Sequence, residues 1–283
     1  MLVYLNGAFL PKSEAFISPD DRGFLLADGI YEVTRSYDGY LFALDRHMAR
    51  LERSLDELQI EQPKVDFAQV SRDLLAENDL MDGEATVYLQ VTRGVAPRVH
   101  AFPQGEVTPT VYGYAMPLMT QSENWLNGVD VVTAPDIRWA RCDIKSVSLL
   151  ANVLAQQRAQ EAGVEETILI RDGVVTEGAH TSVCGVIDGT LFTHPDSNYI
   201  LPGITRGIVL ELCKELGIPF RLFPILESKL SRVDELMILG TGSEVMPVVK
   251  VDGKSVGNGK PGSVTMQLQR AYKKMIADAL RKE

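Results

Sequence analysis

A single lysine, Lys145, stands at a point of the sequence where covalent chemistry with a carbonyl group is possible. It lies in RCDIKSVSLLANVLAQQ, where a strand-and-turn segment gives way to an amphipathic helix. Apolar neighbours such as Ile144 and Val147 would make the amine lose its proton more readily, and a neutral amine is the form that makes a Schiff base. From this context alone, an ordinary solvated lysine is the simpler interpretation.

An anion-binding pattern follows in SNYILPGITRG, residues 197–207, where a Pro-Gly turn leads directly into a helix. The first backbone N–H groups of a helix have no partner within it, so such an end attracts phosphate. A plain loop-to-helix junction capped by Thr205 fits the same residues. The loop LGTGSE, residues 239–244, could add further amides and the Thr241 hydroxyl, although ordinary turns use the same residue types.

The carboxylate of Glu177 lies in VVTEGAHTSVCGV, between a strand-like run and Gly178. In that position it could point into a cleft and keep a pyridine nitrogen protonated, because an adjacent negative charge favours the cation. A glutamate in a surface turn is the simpler interpretation of this residue alone.

Strands and helices alternate around these residues. Hairpins are predicted at VYLNGAFLP and SYDGYLFAL, because Asn-Gly and Asp-Gly favour tight two-residue turns. Apolar spacing predicts helices over 45–58, 67–77, 147–162 and 205–216 and at the C-terminus, with strands over 85–94, 108–116, 129–135, 167–193, 236–240 and 247–253. The loop after the strand ending at Gly94 carries VAPRVHAFPQG.

The polar stretch PLMTQSENWLNG has little periodicity and is typical of an interdomain linker. It divides the chain into an N-terminal domain over 1–119 and a C-terminal domain over 120–283. Because the strands and helices lack a regular βαβ rhythm, the pattern indicates an α+β protein. The nucleotide-binding patterns GxGxxG and GxxxxGK[ST] are absent.

Composition excludes several classes of function. The net charge is −10 and the charges form no block of one sign, which argues against nucleic-acid binding. The chain has neither a leader pattern nor a run of roughly 18 apolar residues, so we expect a cytoplasmic protein without membrane contact. The three cysteines and four histidines have no disulfide or metal-ligand spacing, so no metal site is expected.

Five segments, in order and with matching spacing, resemble the characteristic stretches of the fold-type IV pyridoxal-phosphate (PLP) enzymes, the class IV aminotransferases. The segments are DRGFLLADGIYEV at 21–33, IK at 144–145, VTEG at 175–178, LPGITR at 201–206 and the GTGSE loop. The resemblance covers nearly the whole chain. It implies two domains, a smaller N-terminal α/β domain and a larger C-terminal barrel-like domain.

The resemblance also implies a role for each candidate residue. Lys145 would bind PLP covalently and move the proton between the substrate α-carbon and the cofactor, and Glu177 would pair with the pyridine nitrogen. The groups implied to hold the phosphate are Arg50, the amides of Ile204 and Thr205, and Thr241. Without the resemblance, Arg50 on its periodic helix would be interpreted as a solvated charge.

Within the family, TRGVAPRVHAFP together with Tyr31 resembles the D-amino-acid transaminase branch. There Arg98 and His100 would come from the neighbouring subunit and join Tyr31 around the substrate carboxylate, which implies a homodimer with shared active sites. The expected reaction transfers the amino group of D-alanine and similar donors to 2-oxoglutarate, giving a 2-oxo acid and D-glutamate.

Three alternatives stay open from the sequence. A branched-chain L-amino-acid aminotransferase or an aminodeoxychorismate lyase would keep Lys145 and Glu177 without needing the Arg98 and His100 pair. A phosphate-binding module without covalent chemistry would need only the helix end at Ile204. Departures from relatives are Ala179 and His180, where small hydroxyl residues are usual, and Gly240, where a hydroxyl residue often precedes the threonine.

Overall fold

The structure is a computed structural model that describes residues 1–119 and 122–281. It folds as two compact units. The first comprises Met1–Met119 with Ile144–Ser148, and the second comprises the described residues of Thr120–Asp143 and Leu149–Glu283. Two residues of the predicted linker, Thr120 and Gln121, lie outside the described residues, and a short helix occupies the linker's next positions.

The first unit is a six-stranded antiparallel sheet with helices. Along the sheet the strand order is β2-β1-β6-β5-β3-β4. The strands are β1 (Leu2–Leu5), β2 (Ala8–Pro11), β3 (Gly29–Tyr37), β4 (Tyr40–Leu41), β5 (Glu84–Thr92) and β6 (Thr110–Pro117), and the helices are α1 (Arg22–Leu26), α2 (Leu44–Glu57) and α3 (Phe67–Ala76). A single 3-10 turn covers Lys12–Glu14.

Local sequence explains both hairpins of this unit. Asn6 and Gly7 join β1 to β2 with φ of 50° and 98°, and Asp38 and Gly39 join β3 to β4 with φ of 46° and 83°. Positive φ at both central residues is the requirement of the type I′ turn, so the predicted hairpins are confirmed. Helix α2 buries its apolar stripe, including Leu51 and Leu55, in the core of the unit.

The second unit is built on a nine-stranded mixed sheet in which β12-β11-β10-β13-β14-β7-β8-β9 are consecutive and β15 pairs with β14. Its strands are β7 (Val129–Pro135), β8 (Glu166–Arg171), β9 (Val174–Gly178), β10 (Ser182–Ile187), β11 (Thr190–Thr193), β12 (Phe220–Leu222), β13 (Glu235–Gly240), β14 (Glu244–Val251) and β15 (Lys254–Ser255). Its helices are α4 (Ser122–Asn127), α5 (Leu150–Glu161), α6 (Ile204–Leu216) and α7 (Ser263–Leu280), with a 3-10 segment over Glu227–Arg232.

The large sheet curls on itself. Strands β9 and β10 lie far apart in the order along the sheet, yet they contact each other next to the turn that joins them. The six strands from β10 to β9 therefore enclose an apolar core that includes Ile168, Val183 and Ile238. The predicted barrel-like C-terminal domain is confirmed. None of the described helices is both long and apolar enough to cross a membrane.

The edge of β3 receives a segment from much later in the chain. Strand β4 pairs only with Ser36 and Tyr37, which leaves the first residues of β3 without a neighbour on that side. The amide of Tyr31 donates to the Lys145 carbonyl (2.9 Å), and the amide of Val147 donates to the Gly29 carbonyl (3.0 Å). Residues 144–148 thus pack with the first unit, although the sequence assigned them to the second domain.

This pairing also corrects a helix boundary. The sequence predicted that a helix begins at Val147, but α5 begins at Leu150. The amide of Val147 is bound to the β3 edge, and the amide of Ser148 donates to the Ser146 hydroxyl (3.3 Å). Because these two amides are bound outside the helix, Val147 and Ser148 lie in an extended segment and a turn. The helix therefore starts only after them.

Gly94 offers a test of the loop geometry that follows β5. Its φ is +96°, and a Cβ there would lie 2.1 Å from the carbonyl oxygen of Thr108. Gly94→Ala is expected to lower the free energy of unfolding by about 3 kcal/mol, because a clash with backbone adds to the cost of the left-handed conformation.

The matched control is Gly7→Ala, since Gly7 has φ of +98° but open space around it. It should cost only about 1 kcal/mol. Urea unfolding of both variants measures the difference, and equal losses would contradict the predicted clash.

Candidate active site

The backbone of Lys145 is held by hydrogen bonds, whereas no hydrogen bond or ion pair of the described residues involves its side-chain amine. Its amide donates to the Ser54 hydroxyl of α2 (3.4 Å), and its carbonyl accepts from Tyr31. The preceding Ile144 is buried in the core of the first unit. The Lys145 Nζ atom lies 4.3 Å from the centroid of the Tyr31 ring, so the fold brings two predicted site residues together.

A buried carboxylate, Glu32 of β3, organises the polar groups of the neighbouring helix α2. Arg50 donates to it with two nitrogens, Nε to Oε1 at 2.6 Å and Nη2 to Oε2 at 2.9 Å. His47 Nδ1 lies 2.8 Å from Oε2. Arg50 is 7% exposed, so its interpretation as a solvated charge is wrong. Glu32 fixes the plane of the guanidinium group that was predicted to bind phosphate.

Charge states in this cluster follow from burial and pairing. Burial alone would raise the pKa of Glu32, but the charge of Arg50 and hydrogen bonds from His47 and Arg50 hold that pKa at about 2. Burial lowers the pKa of His47, although Glu32 opposes this effect. At neutral pH the cluster therefore holds a carboxylate, a guanidinium and a neutral imidazole. Neither Glu32 nor His47 was singled out by the sequence analysis.

In the second unit, Glu177 is the penultimate residue of β9 and is 6% exposed, so the surface-turn interpretation is wrong. Arg138 donates to Oε1, and the amide of Leu201 donates to Oε2 at 3.1 Å. Arg138 is itself held by Asp136 through Nε at 2.9 Å and Nη2 at 2.8 Å. Each carboxylate oxygen of Glu177 has acceptor capacity beyond these bonds.

The two carboxylates around Arg138 differ in acidity. Burial would raise the pKa of Asp136, but its hydrogen bonds from Arg138 hold that pKa at about 2. Burial raises the pKa of Glu177, against the charge and hydrogen bond of Arg138. Asp136 and Glu177 both pair with Arg138. Glu177 gains from a further cationic or N–H partner at its free lone pairs.

Three loops of the second unit meet around the start of α6. Gly203 caps α6, whose N-terminus has no side-chain cap, so Thr205 is not the cap that the sequence allowed. A Cβ on Gly203 would lie 2.5 Å from the Ser182 hydroxyl, and one on Gly240 would touch Thr181 at 3.5 Å. The uncapped amides at Ile204 and Thr205 and the turn at Thr241 therefore lie near the loop after Glu177. Backbone N–H groups at an uncapped helix end of this kind suit a phosphate.

A residue that sequence reasoning missed, Glu166, holds the loop after Glu177. It accepts from the Thr181 hydroxyl (2.9 Å) and from the amide of Ala179 (3.1 Å), and it pairs with His180 Nδ1 at 3.0 Å. Burial would raise the pKa of Glu166, but the hydrogen bond from His180 and the other donors lower it. His180, which departs from the small hydroxyl residues usual in relatives, is thus held in place by the buried carboxylate of Glu166. Nothing in the neighbouring sequence distinguishes Glu166 from other glutamates that begin a strand.

Arg98 and His100 lie on the loop between β5 and β6 of the first unit, and both are exposed. Within residues 1–119 and 122–281, neither side chain has a hydrogen bond or an ion pair. The carboxylate trap predicted from Tyr31, Arg98 and His100 therefore remains a prediction.

Comparison with known proteins relates this arrangement to one family. The family model described as amino-transferase class IV matches residues 29–251. A D-alanine aminotransferase of Staphylococcus haemolyticus is 43% identical over 276 residues, covering 97% of each chain. Among solved structures, an Escherichia coli branched-chain amino acid aminotransferase has a TM-score of 0.88 at 27% identity, covering 96% of this chain and 93% of that one.

A second solved structure concerns the cofactor. It is another branched-chain amino acid aminotransferase, with pyridoxamine 5′-phosphate, and its TM-score is 0.86 at 25% identity, covering 96% of this chain and 92% of that one. The sequence likeness to the D-alanine enzyme thus exceeds the likeness to both branched-chain enzymes.

The Glu32 cluster yields a stability prediction. Glu32→Gln leaves the charge of Arg50 buried without its partner, so the free energy of unfolding should fall by about 3–5 kcal/mol near pH 7. Because folding lowers the pKa of Glu32 from 4.5 to about 2, the carboxylate stabilises the fold above pH 4.5. That stabilisation is lost as the pH falls toward 2. The difference in the free energy of unfolding between wild type and Glu32→Gln should therefore narrow as the pH falls from about 4.5 to about 2.

Glu57→Gln provides the control on the same helix, since Glu57 is a half-exposed partner of Arg53 at 3.6 Å. Its effect should stay below about 1 kcal/mol. Denaturant unfolding of both variants across this pH range measures these effects. A loss of free energy of unfolding in Glu32→Gln that is independent of pH would contradict the proposed charge state of Glu32.

Proposed function

The chain belongs to the class IV aminotransferase family, and we propose that within it the protein transfers the amino group of D-amino acids such as D-alanine to 2-oxoglutarate. The products are a 2-oxo acid and D-glutamate. The observation that carries this function is the 43% identity to a D-alanine aminotransferase over 97% of both chains. The sequence identity to the branched-chain enzyme of Escherichia coli is only 27%.

The cofactor of this family is pyridoxal 5′-phosphate, and the residues of this chain fit it. When bound, PLP supplies an electron sink for the charge that develops at the substrate α-carbon. The groups assigned to its phosphate are the amides of Ile204 and Thr205, Thr241 and Arg50. The crowding of Ser182 against Gly203 supports this assignment, because any side chain at Gly203 would fill the space beside the uncapped helix end.

Lys145 is assigned as the anchor of the cofactor and as the group that moves the proton at the substrate α-carbon. Its fixed backbone supports this role, since a proton donor and acceptor must hold its position through the reaction. Glu177 is assigned to the pyridine nitrogen. Its buried carboxylate, held on one side by Arg138 and Leu201, gains from a further N–H donor, and such a donor would in turn be kept protonated.

Recognition of the substrate carboxylate is assigned to Tyr31, Arg98 and His100. Arg98 offers two parallel N–H donors to a carboxylate, and His100 and the Tyr31 hydroxyl add single donors. The exposure of Arg98 and His100, and their lack of partners in the described part of the chain, support a role toward a group outside their own subunit.

We therefore propose a homodimer in which this loop completes the site of the neighbouring subunit. Exposed apolar side chains on each unit support it, because a patch of such side chains on a surface marks a contact site. In the first unit these include Phe16 and Phe24, which are 81% and 75% exposed. On α5 of the second unit they are Leu150, Val153 and Leu154. The free, buried cysteines support a cytoplasmic location.

A second candidate function is the branched-chain L-amino-acid aminotransferase, which the solved structures favour by fold. No feature of the chain favours an aminodeoxychorismate lyase. The phosphate-binding module without chemistry is set aside because the chain is an aminotransferase.

Stereospecific assay separates the two candidates. D-Alanine and L-alanine are offered separately with 2-oxoglutarate, and pyruvate is measured. We expect turnover of D-alanine at least about a hundredfold faster than that of L-alanine, because a misplaced carboxylate forfeits charged hydrogen bonds of about 1.5–3 kcal/mol each. L-Leucine serves as the parallel donor for the branched-chain function. Faster turnover of either L-donor would reject the D-specific function.

A further inference from the structure

The loop that carries Arg98 and His100 is tied to the first unit by a buried charged cluster of Arg22, Asp28 and Arg93. We call it the Asp28 cluster. Arg22 and Arg93 are 2% and 7% exposed, which is rare for arginine unless it is paired. Neither arginine lies among the residues assigned above to cofactor or substrate. Their function has to follow from what their guanidinium groups hold.

Asp28 fixes both arginines at once. Its Oδ2 atom accepts from Arg22 Nε at 2.8 Å and from Arg93 Nε at 2.8 Å, while Oδ1 accepts from Arg93 Nη2 at 3.0 Å. Burial would raise the pKa of Asp28, but the hydrogen bonds from Arg93 and Arg22 lower it, so the residue stays a carboxylate. Arg93 also donates to the carbonyls of Leu58 and Gln59 at the end of α2.

The remaining donors of the cluster reach the loop. Arg22 Nη1 donates to the carbonyl of Val99 at 2.7 Å, and Val99 lies between Arg98 and His100 in sequence. The Arg93 guanidinium lies 3.8 Å from the centroid of the Phe102 ring, a cation–π contact. The cluster therefore holds the loop on both sides of His100.

The loop has few other polar or ring contacts. Among the described residues, the Arg22–Val99 hydrogen bond and the Arg93–Phe102 ring contact are the ones that join residues 97–105 to the rest of the first unit. The other backbone bond of this segment, from Val99 N to the Pro97 carbonyl, is internal. An exposed loop with so few anchors depends on them for its conformation, because each residue that is held in place loses conformational entropy.

We propose that Arg22, Asp28 and Arg93 are positioning residues for substrate binding, which set the loop so that Arg98 and His100 present their donors to the substrate carboxylate. The proposal rests on the function proposed above for Arg98 and His100. The Asp28 cluster does not touch substrate itself. It acts by holding the Val99 carbonyl and the Phe102 ring.

A double-mutant cycle tests this role with the dimeric, cofactor-loaded enzyme. Arg22→Met keeps the length of the side chain and removes its hydrogen bonds to Asp28 and Val99. Alone, it should raise the KM for D-alanine about tenfold with kcat within about twofold, the cost of one charged hydrogen bond acting on binding. In an Arg98→Ala background the same change should alter the KM by less than about twofold, because the two-donor guanidinium is gone and only the single donor of His100 is left to position.

Phe102→Ala is the second variant, chosen because Phe102 is 51% exposed and its loss leaves the core intact. It should raise the KM for D-alanine in wild type about threefold and have no further effect in Arg98→Ala, by loss of the cation–π contact. Val95→Ala in the same loop is the matched control, because Val95 is equally exposed at 50% and contacts neither arginine side chain by hydrogen bond or ring. It should leave the KM unchanged.

The outcomes separate the two proposals. Equal effects of Arg22→Met in wild type and in Arg98→Ala would overturn the positioning role, because a purely structural residue acts additively. If Arg22→Met does not fold, the cycle with Phe102→Ala decides in the same way, and an unchanged KM in that variant overturns the proposal. An Arg98→Ala enzyme with unchanged KM would instead contradict the proposed function.

Discussion

The backbone pairing between Lys145–Val147 and the edge of β3 is the interaction on which the candidate site depends. Because β4 is only two residues long, the edge at Gly29–Tyr31 would otherwise leave its N–H and C=O groups without partners. Ile144 fills the core of the first unit beside this edge. A slip of one residue would turn Ile144 outward and force Lys145 into the core, so the register is strongly determined. The position of the Lys145 side chain is thus set by an apolar neighbour and two backbone hydrogen bonds.

Buried carboxylates also organise the polar groups within each unit. Glu32 holds the guanidinium of Arg50, and Asp28 holds Arg22 and Arg93. In the second unit Glu166 holds the loop that follows Glu177. Buried ion pairs add little net stability, because desolvation offsets their attraction, but they fix geometry. For the proposed roles in binding a phosphate, a ring nitrogen and a carboxylate, fixed donors matter more than additional stability.

Sequence predicts those features that depend on local chemistry. The Asn6-Gly7 turn and the end of α6 at Gly217 follow from residues that adopt positive φ, and α2 follows from its apolar spacing. The start of α5 could not be predicted, because the competing partner of Val147 is the Gly29 carbonyl of β3, which lies more than a hundred residues earlier in the sequence. Arg50 looked like a surface charge for the same reason. Its partner Glu32 sits in a strand that is buried almost throughout, where alternation does not identify a special position.

Lys145 and Glu177 could be singled out because their motifs are local, whereas Arg138 and Glu166 act only through distant partners. The geometry around Lys145 leads to one direct measurement. The purified enzyme with its cofactor is reduced with borohydride and digested, and its peptides are mapped by mass spectrometry. The pyridoxyl group is expected on Lys145 alone, and the Lys145→Ala protein should carry no label. A pyridoxyl group on another lysine, such as Lys214 or Lys250, would contradict the role assigned to the segment on the β3 edge.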